Sequence, residues 1–574
     1  MAETLISPGV LARENDSSFV SRRPVTAGAA IIGPTVKGPV EIPTIVTTFS
    51  EYANTFGTTF DSGSATNSKT YTYFTSIAAY NYFVNGGTSL LVARVVTGSY
   101  TAASTLTGSG TAIKDSGSLN EVFTLETLSK GTIMNNTGSL SSGSLISGSK
   151  DNVRWQIVNT NSSSGTFDLL IRRGDDNTLT PTVLETFTML SLDPNSSNFI
   201  SRVIGDQVQN YNGTTIQIDT SGSYANRSNF IRVKNVAITT LNYFDNNGIA
   251  KNIYTASLPL VGSGSFGGAT GTVRGGAKFY NDISSTDTQG LTGGCYDNMI
   301  NLLSNTDDFK FNVLLTPGLY DADYTAQVTS IITNTQNRGD NIYVVDPVAY
   351  GKVVSTVTAQ AATRNTSYAA EYWPWCQVVD PSTGDLVYVP ASTVIGGVYA
   401  YNDSVAEPWF APAGINRGGL SQVVRVEQKL SASNRDTLYN GKVNPIATFP
   451  GTGIVVYGQK TLQTRASALD RVNVRRLLIA LKSYISQVAL NLVFEQNTIA
   501  TRNQFLSQTN PYLTSVQQRQ GLYAFKVIMD ETNNTPDVID RNELVGKIFV
   551  QPTKTAEFIY LDFNITPTGA TFGA

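Results

Sequence analysis

Histidine is absent from this 574-residue chain, and cysteine occurs only as Cys295 and Cys376. The first absence removes Ser-His-Asp and Cys-His catalytic arrangements, every His-ligated metal site and the usual proton shuttle near neutral pH. The second removes four-cysteine zinc sites and iron–sulfur clusters, leaving room for one disulfide but no disulfide scaffold. Charge is scarce too: 14% of residues carry it, against about 25% in a typical soluble domain. The 40 basic and 43 acidic residues nearly cancel, to −3, which argues against a nucleic-acid wrapper built on a basic excess. Apolar runs such as Val474 to Leu481 fall far short of the ~20 residues that span a bilayer. Met1 to Val10 lacks the charged and apolar regions of a secretory signal. The expectation is a soluble chain made in a cytosol, with no cofactor and no metal. Catalysis by carboxylates, Lys, Tyr, Ser or Thr survives this arithmetic.

What the chain does have is apolar and aromatic bulk: 41% hydrophobic residues, with 27 Tyr, 25 Phe and 4 Trp. That suffices for large cores and argues against global disorder. At ~150 residues per domain, the length predicts about four domains.

Residues 1 to about 22 read as an arm, broken by Pro8-Gly9. Ala29-Ala30-Ile31-Ile32 is a short buried strand ending at Gly33-Pro34. The run Ile42 to Phe49 leads into a helix start at Ser50-Glu51-Tyr52. Tyr73 to Phe83 reads as a helix and Leu90 to Val96 as a buried strand. At Gly98 the composition turns to Ser, Thr and Gly. Phe123, Leu125, Val153, Trp155, Ile157, Phe167, Leu169 and Ile171 then sit in short alternating runs, the pattern of an inserted β-rich domain. Further on, Asp308 to Leu315 (strand), Ala326 to Gln336 (helix) and Ile342 to Val345 (strand) predict an α/β layer. Ser467 and Asp470 have capping-box spacing before a long helix marked by Val474, Leu477, Leu478, Leu481, Ile485, Val488 and Leu492. A second helix ends at Gln520-Gly521. Strands follow at Leu522 to Met529, Val545 to Val550 and Ala556 to Ile565; the last places Ile559, Leu561, Phe563 and Ile565 on one face.

Several motifs invite functional readings. Gly262-x-Gly264-x-x-Gly267 matches a dinucleotide fingerprint, but the following Gly268 and Gly271 cannot open a helix. Gly453 to Gly458 resembles a phosphate loop, except that Gln459 separates the second glycine from Lys460 and Ile454 to Tyr457 reads as a strand. The Arg173-Gly174-Asp175 and Arg338-Gly339-Asp340 tripeptides read as turns. Tyr372-Trp373-Pro374-Trp375 suggests a carbohydrate platform, with packed core as the plainer reading. Asp530, Glu531, Asp537, Asp540 and Glu543 lack calcium-loop spacing and read as solvated turn and cap carboxylates. No catalytic residue is assigned. Arg471, Arg475 and Lys482 fall within a sector of roughly 40° beside the apolar stripe of the long helix. They are either a solvated face or a docking surface for an acidic partner.

Taken in order, a set of segments resembles the contractile tail sheath proteins of bacteriophages. They are Ser7-Pro8-Gly9-Val10, AAIIGPTVKGP from Ala29, the Phe49 to Gly57 stretch, NGGTSLLVARVV from Asn85, LLIRRGDDN from Leu169, LSLDPNSSNFI from Leu190, DNIYVVDP from Asp340, EPWFAPAGINRG from Glu407, GQKTL from Gly458, RVNVRRLL from Arg471, DETNNTP from Asp530 and AEFIYLDF from Ala556. The resemblance implies a mixed α+β, multi-domain fold: an α/β C-terminal sheath domain facing a tail tube, β-rich inserted outer domains, and extended terminal arms. Carried onto this sequence, residues 1–22 are the N-terminal arm, and 23–97 with 226–350 form a discontinuous middle α/β domain. Residues 98–225 are the inserted domain, and 351–574 the C-terminal domain, with its own arm from about 553. The intersubunit arm residues are then Ser7, Pro8, Gly9, Val10, Ile559, Leu561, Phe563 and Ile565, and the tube-facing cations Arg471, Arg475 and Lys482. Implied partners are neighbouring copies in a helical stack of rings, a tail tube protein, and baseplate and terminator proteins, with neither nucleic acid nor membrane. The implied location is a virion tail assembled in host cytoplasm. A sheath from a bacterial contractile injection apparatus (type VI secretion or pyocin-like) and a carboxylate-based tail glycosidase are the alternatives.

Overall fold

The computed structural model describes residues 25–62, 69–106, 110–137, 143–273, 280 and 283–558. Its centre is an eight-stranded sheet. The strand order is Thr44–Val46, Leu90–Arg94, Val25–Gly33, Phe309–Tyr320, Ile342–Asp346, Ala369–Trp373, Val443–Phe449 and Gly453–Val456. The six inner strands run parallel and an antiparallel strand closes each edge. Parallel neighbours need crossovers, which the helices Thr325–Arg338 and Val354–Ala362 supply after Phe309–Tyr320 and Ile342–Asp346. With helices on both faces the strands are mostly apolar, with Arg94, Glu371 and Asn444 among the buried exceptions, and successive side chains enter opposite cores. Ile31, Val92, Leu315, Val344 and Tyr372 join one core, and Ile32, Leu91, Leu314, Val345 and Trp373 the other. The first lies under the helices Phe74–Val84 and Ser392–Val405. The strands and helices expected from Ala29 to Val96 and from Asp308 to Val345 are present, shifted by at most a few residues at most ends.

Between Leu90–Arg94 and Phe309–Tyr320 the chain builds a separate β-sandwich. One sheet joins Val183–Ser191, Thr166–Arg173, Val153–Asn161 and Gly262–Gly264; the other joins Ile231–Val236, Glu121–Lys130 and Ala102–Ser104. Their shared core contains the alternating residues noted in the sequence, Phe123, Leu125, Trp155, Ile157, Phe167, Leu169 and Ile171. The insertion does not end at 225. Ile231 pairs with Thr127, Gly262 pairs with Ile157, and Phe266 and Ala269 are buried in the same core. Such long-range pairing leaves no mark in local composition. The boundary placed at 350 also moves, because Ala369–Trp373, Val443–Phe449 and Gly453–Val456 belong to the central sheet.

The chain then leaves the sheet for a smaller module made of the helices Val472–Leu490 and Ile499–Gln518 and the antiparallel strands Leu522–Ile528 and Lys547–Pro552. Ser467 does cap, but it accepts from Leu469 N in a single 3-10 turn, and the long helix begins later, at Val472. The delay has a backbone cause. Thr461 N donates to Asp470 O and Val472 N to Gln459 O, which holds residues 470–472 extended against 459–461.

Candidate assembly surface

The Leu522–Ile528 and Lys547–Pro552 strands form a two-stranded ribbon, and no third strand joins either edge among the described residues. Such a ribbon is marginal alone and needs packing on one face. Phe525, Val527, Ile548 and Val550 supply it by packing against the two helices through Leu477, Leu481, Leu513 and Val516. The opposite face leaves Tyr523 and Phe549 exposed. The ribbon therefore leaves both edges without a paired strand, beside a face on which Phe549 lies opposite Lys526, an arrangement open to an added strand.

The chain leaves this ribbon along residues 553–558, which are tied to the central domain. Gln459 Nε2 donates to the Thr555 hydroxyl at 2.6 Å and to the Glu557 carboxylate at 3.0 Å. Glu557 also accepts from Arg471 Nε at 2.7 Å and from the Tyr439 hydroxyl. Burial opposes ionisation of Glu557, but these hydrogen bonds outweigh it and hold the carboxyl below its usual range. Lys460 Nζ lies 4.1 Å from the Tyr439 ring centroid and donates to the Tyr439 carbonyl at 2.8 Å.

The three cations of the long helix do not form one exposed face. Arg471 is half-buried and spent on Glu557 and Asp470. Arg475 is buried, with its guanidinium 3.9 Å from the Tyr368 ring centroid and hydrogen-bonded to Ser367. Lys482 alone of the three is exposed. Arg471 precedes the helix in extended backbone, so the 100° periodicity does not apply to it, and periodicity carries no information on which neighbour covers Arg475. The arm residues Ser7, Pro8, Gly9, Val10, Ile559, Leu561, Phe563 and Ile565 lie outside the described residues.

The other motifs fall into structural positions. Gly262–Gly264 is an edge strand of the sandwich, and Gly267 bridges to Ser104 rather than opening a helix. Gly453–Val456 is the last strand of the central sheet. Gly339 is a left-handed helix C-cap, with Arg338 paired to Asp340. Tyr372, Trp373 and Trp375 are buried and cannot offer a platform to a sugar. Asp530 caps its own turn by accepting from Thr532 N. Among the described residues no group of His, Cys, Asp and Glu stands at metal-holding spacing, and no helix is long and apolar enough to cross a membrane. A feature that periodicity missed is the tip joining the two helices, where Leu490, Val493, Phe494 and Ile499 are all exposed. The break in the helical stripe after Leu492 was the available signal.

Fold and surface together define a multi-domain α/β scaffold that carries a β-sandwich insertion and an incomplete ribbon at its C-terminal end. Residues 295–462 match the phage tail sheath protein central domain and residues 464–566 the phage tail sheath C-terminal domain. Over these two regions the chain is similar to phage tail sheath proteins. It is 47% identical over 185 residues to the tail sheath protein of Vibrio phage KVP40, covering 32% of this chain and 28% of that one. It is 31% identical over 286 residues to the tail sheath protein of Salmonella phage ViI, covering 46% and 45%. The chain thus spans less than half the length of these relatives. The crystal structure of the sheath tail protein of Listeria innocua superposes with a TM-score of 0.52 at 10% identity, over 92% of this chain and 95% of that one, a likeness of fold.

Proposed function

We propose that this chain is a structural subunit of a contractile phage tail sheath, with no catalytic role. It polymerises around a tail tube between a baseplate and a terminator, and relaxes from an extended to a shorter lattice that drives the tube through the host envelope. It resides in the virion tail and is assembled in the host cytoplasm. The observation that carries this reading is the open ribbon Leu522–Ile528/Lys547–Pro552, which no third strand joins among the described residues. In this reading the terminal arms of neighbours, residues 1–22 and the segment containing Ile559, Leu561, Phe563 and Ile565, add strands to it. At about 1 kcal/mol net per hydrogen bond, one added strand contributes a few kcal/mol per junction. Burying the apolar side chains beside it adds about 25 cal/mol per Å². Contraction then draws on new contacts between copies rather than on nucleotide hydrolysis. A shift of about 5.5 kcal/mol per cooperative unit reverses a 1:99 population, so small gains per subunit make the step one-way. Of the three helix cations, Lys482 is the one exposed to meet the tube; Arg471 and Arg475 position its helix.

Electron microscopy of the purified chain tests the reading. The full chain forms ordered cylinders, and a variant lacking residues 1–22 and 559–574 stays dispersed while keeping its thermal unfolding transition. Ordered, shortenable cylinders from the trimmed variant rule the arms out.

A further inference from the structure

The tip between the helices Val472–Leu490 and Ile499–Gln518 carries an unusual apolar load. Phe494 is fully exposed, Leu490 is 70% and Ile499 60% exposed, and Val493 is more than half exposed. Phe494 also has φ +70°, the left-handed region that a bulky side chain adopts only under constraint. Strain and full hydration of an aromatic ring are both unfavourable, and together they mark a side chain built for a partner. At the other end of the same helix lies a groove of about 660 Å³ lined by Trp409, Phe410 and Tyr457, with Asn473 from the first turn of Val472–Leu490 and Gln520 from just past Ile499–Gln518. The 19-residue helix separates tip and groove by about 28 Å at 1.5 Å per residue. One molecule therefore cannot fill its own groove with its own tip.

We infer that the Phe494 tip of one copy docks into the Trp409–Phe410–Tyr457 groove of the next. The inference rests on the sheath reading and names a contact within it. Charge favours a second copy as occupant. Exposed Glu495 flanks the knob, while Arg417, Arg435 and Lys554 line the groove beside Asp436 and Glu557, the latter already held by Arg471. Area is consistent as well. The four tip side chains offer on the order of 500 Å², more than half of the ~800 Å² per partner of a standard interface, as suits one of several lattice contacts. Knob and groove are different patches, so the contact is heterologous and propagates into rings or helices instead of closing as a dimer.

The test uses the full chain. Phe494→Ala replaces a solvent-exposed side chain, so its thermal transition stays at or above that of the wild type while the critical concentration for polymerisation rises at least about tenfold. In a Cys295→Ser background, Phe494→Cys with Tyr457→Cys gives under mild oxidation a ladder of covalent dimers, trimers and higher species, and either cysteine alone gives no ladder beyond dimer. Polymerisation of Phe494→Ala at the wild-type critical concentration overturns the inference. So does loss of assembly without any ladder, which assigns the tip to the tube or the groove to residues 559–574 of the same chain. A wild-type chain that never polymerises removes the sheath reading instead; a ladder from the double-cysteine variant would still establish the contact, and its absence would end it.

Discussion

Glu371 is an ionisable side chain placed inside the central sheet. It is fully buried in Ala369–Trp373, and neither carboxylate oxygen has a hydrogen-bond partner. Burial raises its pKa well above the usual range; Asp321 and Asp346 add to this, and Lys442 and Arg364 oppose it without prevailing. Asp346 behaves alike: burial pushes it to about 7 although Ser392 donates both its N–H and its hydroxyl. The folded state therefore keeps protons that the unfolded chain releases near pH 4. Stability from these groups is fully present below that pH and declines as pH rises through the folded values, by about 1.4 kcal/mol per pH unit per group. Glu371→Gln preserves the shape of the neutral acid and removes its titration. Denaturant unfolding from pH 4 upward should show a shallower loss in the variant than in the wild type; identical slopes would mean that Glu371 is ionised in the fold.

At the scale of the element, the segment 553–558 depends on one carboxylate. Thr553 N still pairs with Gly521 O at the foot of the ribbon. Beyond it the backbone is irregular, and side chains from Gln459, Arg471 and Tyr439 converge on Thr555 and Glu557. Glu557→Gln removes the charge that Arg471 and Tyr439 address. A charge-assisted hydrogen bond contributes about 1.5–3 kcal/mol when sheltered, and partial exposure brings the expected loss nearer 1 kcal/mol. Hydrogen exchange should quicken at residues 553–558 and leave the Val472–Leu490 helix unchanged. Because the carboxyl of Glu557 is held below its usual range, its contribution is present above the unfolded value and lost as pH falls through the folded one. Acid should loosen this root in the wild type and have no such effect on the variant.

At the scale of the whole molecule, the insertion meets the central domain where the chain enters and leaves it, and Tyr211 and Ile218 of the insertion also pack against one core of the central sheet. Thr101 N donates to Thr270 O at 3.2 Å, so the chain enters and leaves the sandwich side by side. The base is clamped by buried Arg94, whose Nη1 donates to Gly38 O at 2.6 Å and Lys130 O at 2.9 Å, and by the Lys37–Asp151 pair at 3.5 Å. The sandwich has its own core, separate from the two cores of the central sheet. Replacing residues 102–269 by a short Gly-Ser linker should leave a chain that unfolds cooperatively and still polymerises, less stable by about 2–4 kcal/mol for the lost clamp contacts. Circular dichroism and electron microscopy of that variant check both points; failure to fold would make the sandwich part of the central fold.

Periodicity and composition by themselves determined the elements of the parallel layer, the long helix and the inserted β-rich region. In those stretches Ala29 to Ile32, Tyr73 to Phe83 and Val474 to Leu492 declare their burial within a few residues. The zero count of histidine likewise narrowed the chemistry before any coordinates. Tertiary structure decided which strands meet: Ile231 with Thr127 and Gly262 with Ile157 extended the insertion past 225, and Trp373 with Pro445 carried the central sheet past 350. It also decided that Arg475 is buried, that Glu557 anchors the C-terminal root, and that Phe494 stands in solvent. The division is physical. Local sequence sets a side chain's direction around its own axis, but burial and charge pairing depend on what another part of the chain brings against that side.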